Sequence, residues 1–396
     1  MLAVGIWRFH HYAGEVPRTI YFDYNATTPL DPAVRAAMLP FLENIWGNPS
    51  SVHHVGQHAR SLLDDARDRA AACLGTKPSE LIFTSGGTES NNLAIFGAAR
   101  ARKSRGNHLI TSAIEHDAVL QSFDYLEKKE GFAVTRLPVN AEGRISVDSL
   151  RRALRPDTIL VSVMAANNEI GTLQPVAEIG TACQEKGVLF HTDAVQWFGK
   201  EPVTSIAQFN ADLVSVCAHK FHGPKGAGLL YIRSPLHLDP VLFGGGHENE
   251  QRAGTENLVS IIGLVAALER FVKIPVFARD QLTPFSEQLR QAISSVKGCG
   301  LVSPATQCLA NTVSFVVAGA DSIALLAGLD VEGICASSGS ACSAGSLEPS
   351  HVILALGLPK QANSLVRFSL GRESTAEEVA AVSEILPEII RRAQLG

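Results

Sequence analysis

Two charged residues, Asp193 in HTDAVQ (191–196) and Lys220 in SVCAHKFHGPKGAG (215–228), each follow a short apolar run. The runs VLF and DLVSV read as buried strands from their length and β-branched content. Each strand therefore carries one charged group to its carboxyl end, where open α/β sheets build ligand sites. An amine and an acid placed this way suit pyridoxal phosphate (PLP). The lysine forms a Schiff base with the aldehyde, and the acid keeps the pyridine nitrogen protonated so that the ring accepts electrons. One Asp and one Lys alone would read as surface charges at strand ends; their neighbours in the sequence change the balance.

Five further segments have chemical potential. SGGTES (85–90), between a strand and a helix, offers backbone N–H groups, the Thr88 hydroxyl and a helix dipole to an anion such as phosphate. It matches neither GxGxxG nor a Walker loop, which argues against nucleotide binding. IEHDAV (114–119) sets His116 just before a helix, where its ring could stack on a planar cofactor and shuttle protons. In ANNEIG (166–171), Asn167 and Asn168 could bond a phenolic oxygen or a substrate group, with turn formation as the ordinary alternative. RFSLGR (367–372) holds Arg367 on a strand, able to clamp a carboxylate through two hydrogen bonds or to serve as a salt-bridged edge residue. SSGSACSAGS (337–346) is nearly all Gly, Ala and Ser around Cys342. Such a run predicts a mobile loop and a reactive rather than structural thiol.

No metal site is expected. His54 and His58 share an i,i+4 spacing without an acidic or cysteine partner, and Cys335 with Cys342 completes no familiar ligand set.

The elements that must position these groups follow from the rhythm of the chain. At 396 residues the sequence is too long for one ordinary core. A helix over GQHARSLLDDARDRAAACLG, closed by Gly75, precedes strands at ELIFT, HLIT, AVTRLPV, TILVSVM, VLFHT, DLVSV and GLLYI, with helices between most of them. This predicts an α/β fold with a mainly parallel sheet covered by helices. Beyond FVKIPVF the rhythm becomes that of a smaller α+β unit, ending in a helix whose capping box is assigned to Ser374 and Glu377. The expected division is 29–275 for the large unit, and 1–28 with 276–396 for the small one, which carries the cysteine loop at about 333–346. A net charge of −5 argues against nucleic-acid or membrane-surface roles. Seven cysteines without a CxxC pair indicate a reducing, cytoplasmic setting. The apolar character of residues 1–20 lacks the long core and cleavage site of a signal peptide.

Taken together, YFDYNATTPL (21–30), GNPSS, FTSGGTESNNLAI, EHDAVL, ANNEIGT, HTDAVQ, AHKFHGPKG, RAGTEN, SSGSACSAGSLEPSHV and VRFSLGR resemble the cysteine desulfurases. These are fold-type I PLP enzymes of the class-V aminotransferase group, and the short SSGSAC loop resembles the branch serving nitrogenase and general iron–sulfur assembly. The resemblance implies that Lys220 carries the cofactor, Asp193 pairs with the pyridine nitrogen and His116 stacks on the ring. It implies that Gln196 and Asn168 contact the phenolic oxygen. The phosphate would be held by Gly87, Thr88, His219 and Cys217, with Thr255 supplied by the neighbouring subunit of a homodimer. Asn168, Arg367 and Asn25 would bind the substrate, L-cysteine. Cys342 would take its sulfur as a persulfide, leave alanine, and pass the sulfur to an acceptor protein or scaffold.

Three departures stand out. Cys217 occupies a position where the family usually has a phosphate-binding serine, and a thiol is the poorer donor. His247 replaces a common glutamine. The chain stops at RRAQLG, which argues against a tail-docked scaffold. The alternatives are a selenocysteine lyase or other C–S lyase, in which Cys342 matters less, and a non-catalytic PLP-fold sulfur-relay partner, which the intact Lys220, Asp193, His116 and Cys342 set argues against.

Overall fold

The computed structural model describes residues 19–339 and 349–394. In chain order the strands are β1 (Ile20–Tyr21), β2 (Leu81–Thr84), β3 (His108–Ser112), β4 (Ala133–Leu137), β5 (Thr158–Ser162) and β6 (Leu189–Asp193). They continue with β7 (Leu213–Cys217), β8 (Gly228–Ile232), β9 (Cys299–Leu301), β10 (Thr312–Val317), β11 (Ile334–Cys335) and β12 (Leu365–Ser369). The α-helices are α1 (Pro32–Glu43), α2 (His54–Leu74), α3 (Gly87–Ala101), α4 (Asp117–Glu130), α5 (Val147–Ala153) and α6 (Val176–Gln184). After these come α7 (Leu258–Phe271), α8 (Arg279–Ser294), α9 (Ser322–Val331), α10 (His351–Ala355) and α11 (Ala376–Ala393).

Strands β2 to β8 form a 7-stranded sheet in the order β2-β8-β7-β6-β5-β3-β4. Its pairings are parallel except those of β8, which runs antiparallel to both β7 and β2. The reversal has a local cause. The stretch between β7 and β8 holds only a short 3-10 turn at Ala218–Lys220, too little chain for a crossover helix, so the strand must turn back.

Alternation along the strands sends side chains to both faces. Leu81, Phe83, Phe190, Val214 and Val216 join one apolar core with Leu63 of α2, Ile179 of α6 and Leu264 of α7. Ile82, Leu109, Leu160, Leu189 and Leu213 join another with Leu93 of α3 and Phe123 of α4. The strands therefore read as apolar runs because both faces are covered.

A separate core packs α8, α9 and α11 against the 3-stranded sheet β12-β10-β9, around Phe315, Phe368, Leu289 and Leu386. Phe22 belongs to this core as well, because β1 pairs in parallel with β11.

Helix ends follow their local chemistry. Gly75 closes α2 at φ 66, in the left-handed region that glycine tolerates. The capping box of α11 lies one residue later than the sequence suggested. Thr375 Oγ1 accepts from Glu378 N at 3.2 Å and Glu378 Oε2 accepts from Thr375 N at 3.0 Å. Ser374 instead accepts from Gly371 N; with two hydroxyl residues in succession, the chain entering from Gly371 decides which one caps.

Candidate active site

The site begins where β6 ends. Asp193 is its last residue, 5% exposed. Its Oδ1 accepts from Val195 N at 2.9 Å and its Oδ2 from Asn91 Nδ2 at 2.6 Å. Asn91 lies one turn into α3, four residues after Gly87, so helical spacing brings it to the same face as the glycine turn. The adjacent strand β7 ends at Cys217 and leads into the turn carrying Lys220. Lys220 Nζ donates to the backbone carbonyls of Asn25 and Ala26, each at 2.8 Å. The segment before α1 is stitched to this turn by Thr28, whose N and Oγ1 both donate to His219 O.

One cavity of about 170 Å³ is lined by Asn25, Gly87, Thr88, His116, Asn168, Asp193, Gln196, Cys217, His219, Lys220 and Arg367. Asn91, Met164, Val195 and Ala26 complete its wall. A cavity of this size suits one small ligand rather than a dinucleotide.

The anion cradle is built by the backbone. Helix α3 starts at Gly87, within the SGGTES stretch, so Gly87 and Thr88 belong to its first turn and their N–H groups are unpaired within the helix. A Cβ on Gly87 would lie 2.8 Å from Val195 Cγ2, so a larger residue there would require Val195 to shift. His219 is kept neutral: burial, with Lys220, Lys225 and Lys200 nearby, lowers it to about 4. Burial pushes the Cys217 thiol up, so it stays protonated.

His116 is the N-cap of α4, and its Nδ1 accepts from Ala118 N at 3.0 Å. In the neutral ring that contact assigns the proton to Nε2. Beside it, Glu115 is fully buried, and its Oε1 accepts from Ser112 Oγ and from Met164 N. Burial raises its carboxyl to about 8.

The two asparagines of ANNEIG part ways. Asn167 caps its own turn, with Oδ1 accepting from Glu169 N and Ile170 N, each at 2.9 Å. It does not line the cavity; Asn168 does. Asn25 lines the cavity, yet its amide is committed to protein partners: Nδ2 donates to Thr312 Oγ1 at 2.9 Å, and Oδ1 accepts from Asn311 and Lys200.

Arg367 enters from β12 and is 1% exposed. It donates to Asp23 Oδ1 at 2.7 Å, Asn168 O at 2.8 Å and Gly339 O at 2.6 Å. A buried guanidinium needs such a counterion, and Asp23 was not singled out in the sequence. Nearby, Ser350 Oγ donates to Glu169 Oε2 at 2.6 Å. A larger cavity of about 740 Å³ lies alongside, over Glu169, Ser338, Ser350 and His351; it holds none of the amine and acid groups of the smaller one.

Thr255 is exposed and does not line the cavity of its own chain. Cys342 lies outside the described residues, as does most of the loop around it. His54 and His58 gather no further ligand: among the described residues no group of three or more His, Cys, Asp or Glu side chains is placed to hold a metal. No helix among them is long and apolar enough to cross a membrane.

The architecture is that of the fold-type I PLP-dependent transferases. Residues 20–382 match the aminotransferase class-V family, and the chain belongs to that family. A cysteine desulfurase IscS from Dictyoglomus turgidum is 45% identical over 377 residues, covering 95% of each chain. Among solved structures, a NifS-like protein superposes with a TM-score of 0.87 at 36% identity, over 94% of this chain and 100% of the other. A structure described as SspA in complex with cysteine superposes with a TM-score of 0.79 at 37% identity, over 90% and 100%.

Proposed function

We propose that this chain is a PLP-dependent cysteine desulfurase that converts L-cysteine to L-alanine and retains the sulfur as a persulfide on Cys342. The observation that carries the reading is the single cavity uniting Lys220, Asp193, His116 and the Gly87–Thr88 cradle. The 45% identity to a cysteine desulfurase over 95% of the chain supports it.

The residues present fit the cofactor. Lys220 would hold its aldehyde carbon, Asp193 its ring nitrogen, His116 its ring face and Gln196 with Asn168 its phenolic oxygen. Gly87, Thr88, Cys217 and His219 would hold its phosphate. When bound, PLP supplies an electron sink that makes the substrate's Cα proton acidic.

The chain's own groups do the rest. Arg367 and Asn168 orient the substrate carboxylate, and the guanidinium must share or exchange its present acceptors to do so. Lys220 is hung between two carbonyls where it can take and return a proton, and His116 presents Nε2 to the same space. The Cys342 thiolate attacks the substrate's sulfur: the C–S bond breaks, an S–S bond forms, and the carbon receives a proton to become the alanine methyl group. Splitting the transfer in this way replaces one difficult cleavage with two easier steps.

The same reading makes the protein a homodimer in which Thr255 reaches the partner's cradle. It places the chain in the cytoplasm and divides it into the 29–275 unit and the unit made of 1–28 with 276–396.

The test is the Cys342→Ala variant. It should retain the cofactor's visible band, which borohydride bleaches, and lose cysteine-dependent alanine and sulfide production. Undiminished desulfurisation by that variant would overturn the persulfide step and leave a C–S lyase.

A further inference from the structure

Lys200 was absorbed by none of the roles above. It lies four residues after Gln196, in the turn that follows β6, and is 5% exposed. It does not line the cavity. Its Nζ donates to Asn25 Oδ1 at 2.6 Å and to Gln196 Oε1.

A lysine offers hydrogen-bond donors to its partners in either state, whereas an amide can present oxygen or nitrogen. Lys200 therefore fixes which way round two amides sit. With its oxygen taken, Gln196 turns its nitrogen the other way, where Nε2 donates to Asn25 O at 3.0 Å. That carbonyl also receives Lys220 Nζ. Asn25, with its oxygen shared between Lys200 and Asn311, is left to donate to Thr312 Oγ1 and Asn168 O.

We propose that Lys200 is a positioning residue, a buried amine that holds the Gln196 amide with its N–H₂ rather than its oxygen toward the cofactor cavity. The inference rests on the reading of that cavity as a PLP site, where Gln196 faces an anionic oxygen. Without Lys200, only the bond from Nε2 to Asn25 O still opposes turning the Gln196 amide over, which would set an acceptor against an acceptor. Burial is consistent with the role. Together with Lys220 and Arg367 it drives Lys200 well below the usual lysine range, with Asp23 as the opposing charge. In either charge state the amine supplies donors for both oxygens.

The experiment is a double-mutant cycle on purified holoenzyme, with cofactor dissociation constant and visible spectrum as readouts. K200M should weaken cofactor binding by roughly tenfold, the scale of a lost or inverted hydrogen bond to a charged group, and should shift the visible band. In a Q196A background the same substitution should change neither. An equal loss in both backgrounds would make Lys200 only a packing element and overturn the proposal, as would K200M behaving like the parent. If K200M does not accumulate as folded protein, K200Q, which retains one amide donor, must show the same dependence on Gln196. A parent protein that develops no visible band with PLP would instead sink the cofactor reading, and this inference with it.

Discussion

The carboxyl end of the seven-stranded sheet and the small sheet that faces it both supply charge to one cavity, by opposite means. On the large sheet the polar groups sit where strands stop. Asp193 ends β6 and is held by a main-chain N–H two residues on, and His116 is held in the same way by Ala118. On the small sheet, Arg367 lies in mid-strand between Val366 and Phe368, both fully buried. Its counterion, Asp23, is 344 residues away in sequence. A strand-end charge can be satisfied in part by its own turn, as Asp193 is at one oxygen while Asn91 takes the other. A charge inside a packed strand needs a partner brought by the tertiary fold, and loses it if either side changes.

The strongest way to break this comparison is at Arg367. Arg367→Met should cost about 1–3 kcal/mol in denaturant unfolding, because the half-buried Asp23 loses its partner and the carbonyls of Asn168 and Gly339 lose their donor. Adding Asp23→Asn should recover part of that loss. A single variant within about 0.5 kcal/mol of the parent would mean the small-sheet charge is as locally supported as Asp193.

A second test sharpens the large-sheet side. Glu115 titrates near 8 in the fold, above the ordinary carboxyl value of 4.5. Between those values the folded state binds more protons than the unfolded chain. Stability from this group is therefore full below the unfolded value and is lost as pH rises through about 8. Glu115→Gln keeps an oxygen for Ser112 and Met164 and should flatten the decline. Its stability advantage over the parent should reach at least about 1 kcal/mol by pH 8.5, by the energy of one pK unit, and vanish near pH 5. Parallel thermal melts across that range read the difference.

The smallest effect is expected at Cys217→Ser. A hydroxyl at the cradle is a better donor than the buried thiol, so PLP retention should improve about threefold, within the range of one neutral hydrogen bond. Dialysis of the holoenzyme with absorbance detection measures it, and faster loss from the serine variant would contradict the assignment of Cys217 to the cradle.

The same contrast governs what could be read from the sequence. Asp193, Lys220 and His116 were legible because each is a polar residue at the edge of an apolar run, and the cavity collects them. The parallel sheet was legible from alternating runs, whereas the reversal of β8 was hidden in the shortness of its connection. Asp23 and Asn91 were missed, since their meaning lies in pairings 344 and 102 residues apart, and Lys200 was missed although Gln196 is only four residues away. For Asn91 a signal existed: its helical spacing from Gly87. For Lys200 none did, because a lysine four residues beyond Gln196 looks like any surface lysine until the fold encloses it. By residue type alone Asn167 and Asn168 were indistinguishable; the family resemblance selected Asn168, and the direction of the turn, which turns Asn167 onto its own backbone, agrees.

Two acceptors of Lys220 are main-chain oxygens, those of Asn25 and Ala26. Any amino acid would provide the same two atoms, so mutation at either position cannot delete them; only bending the segment out of place can. The Lys220 amine is thus moored to a part of the polymer that genetic drift does not edit, while the side-chain contacts around it stay open to revision.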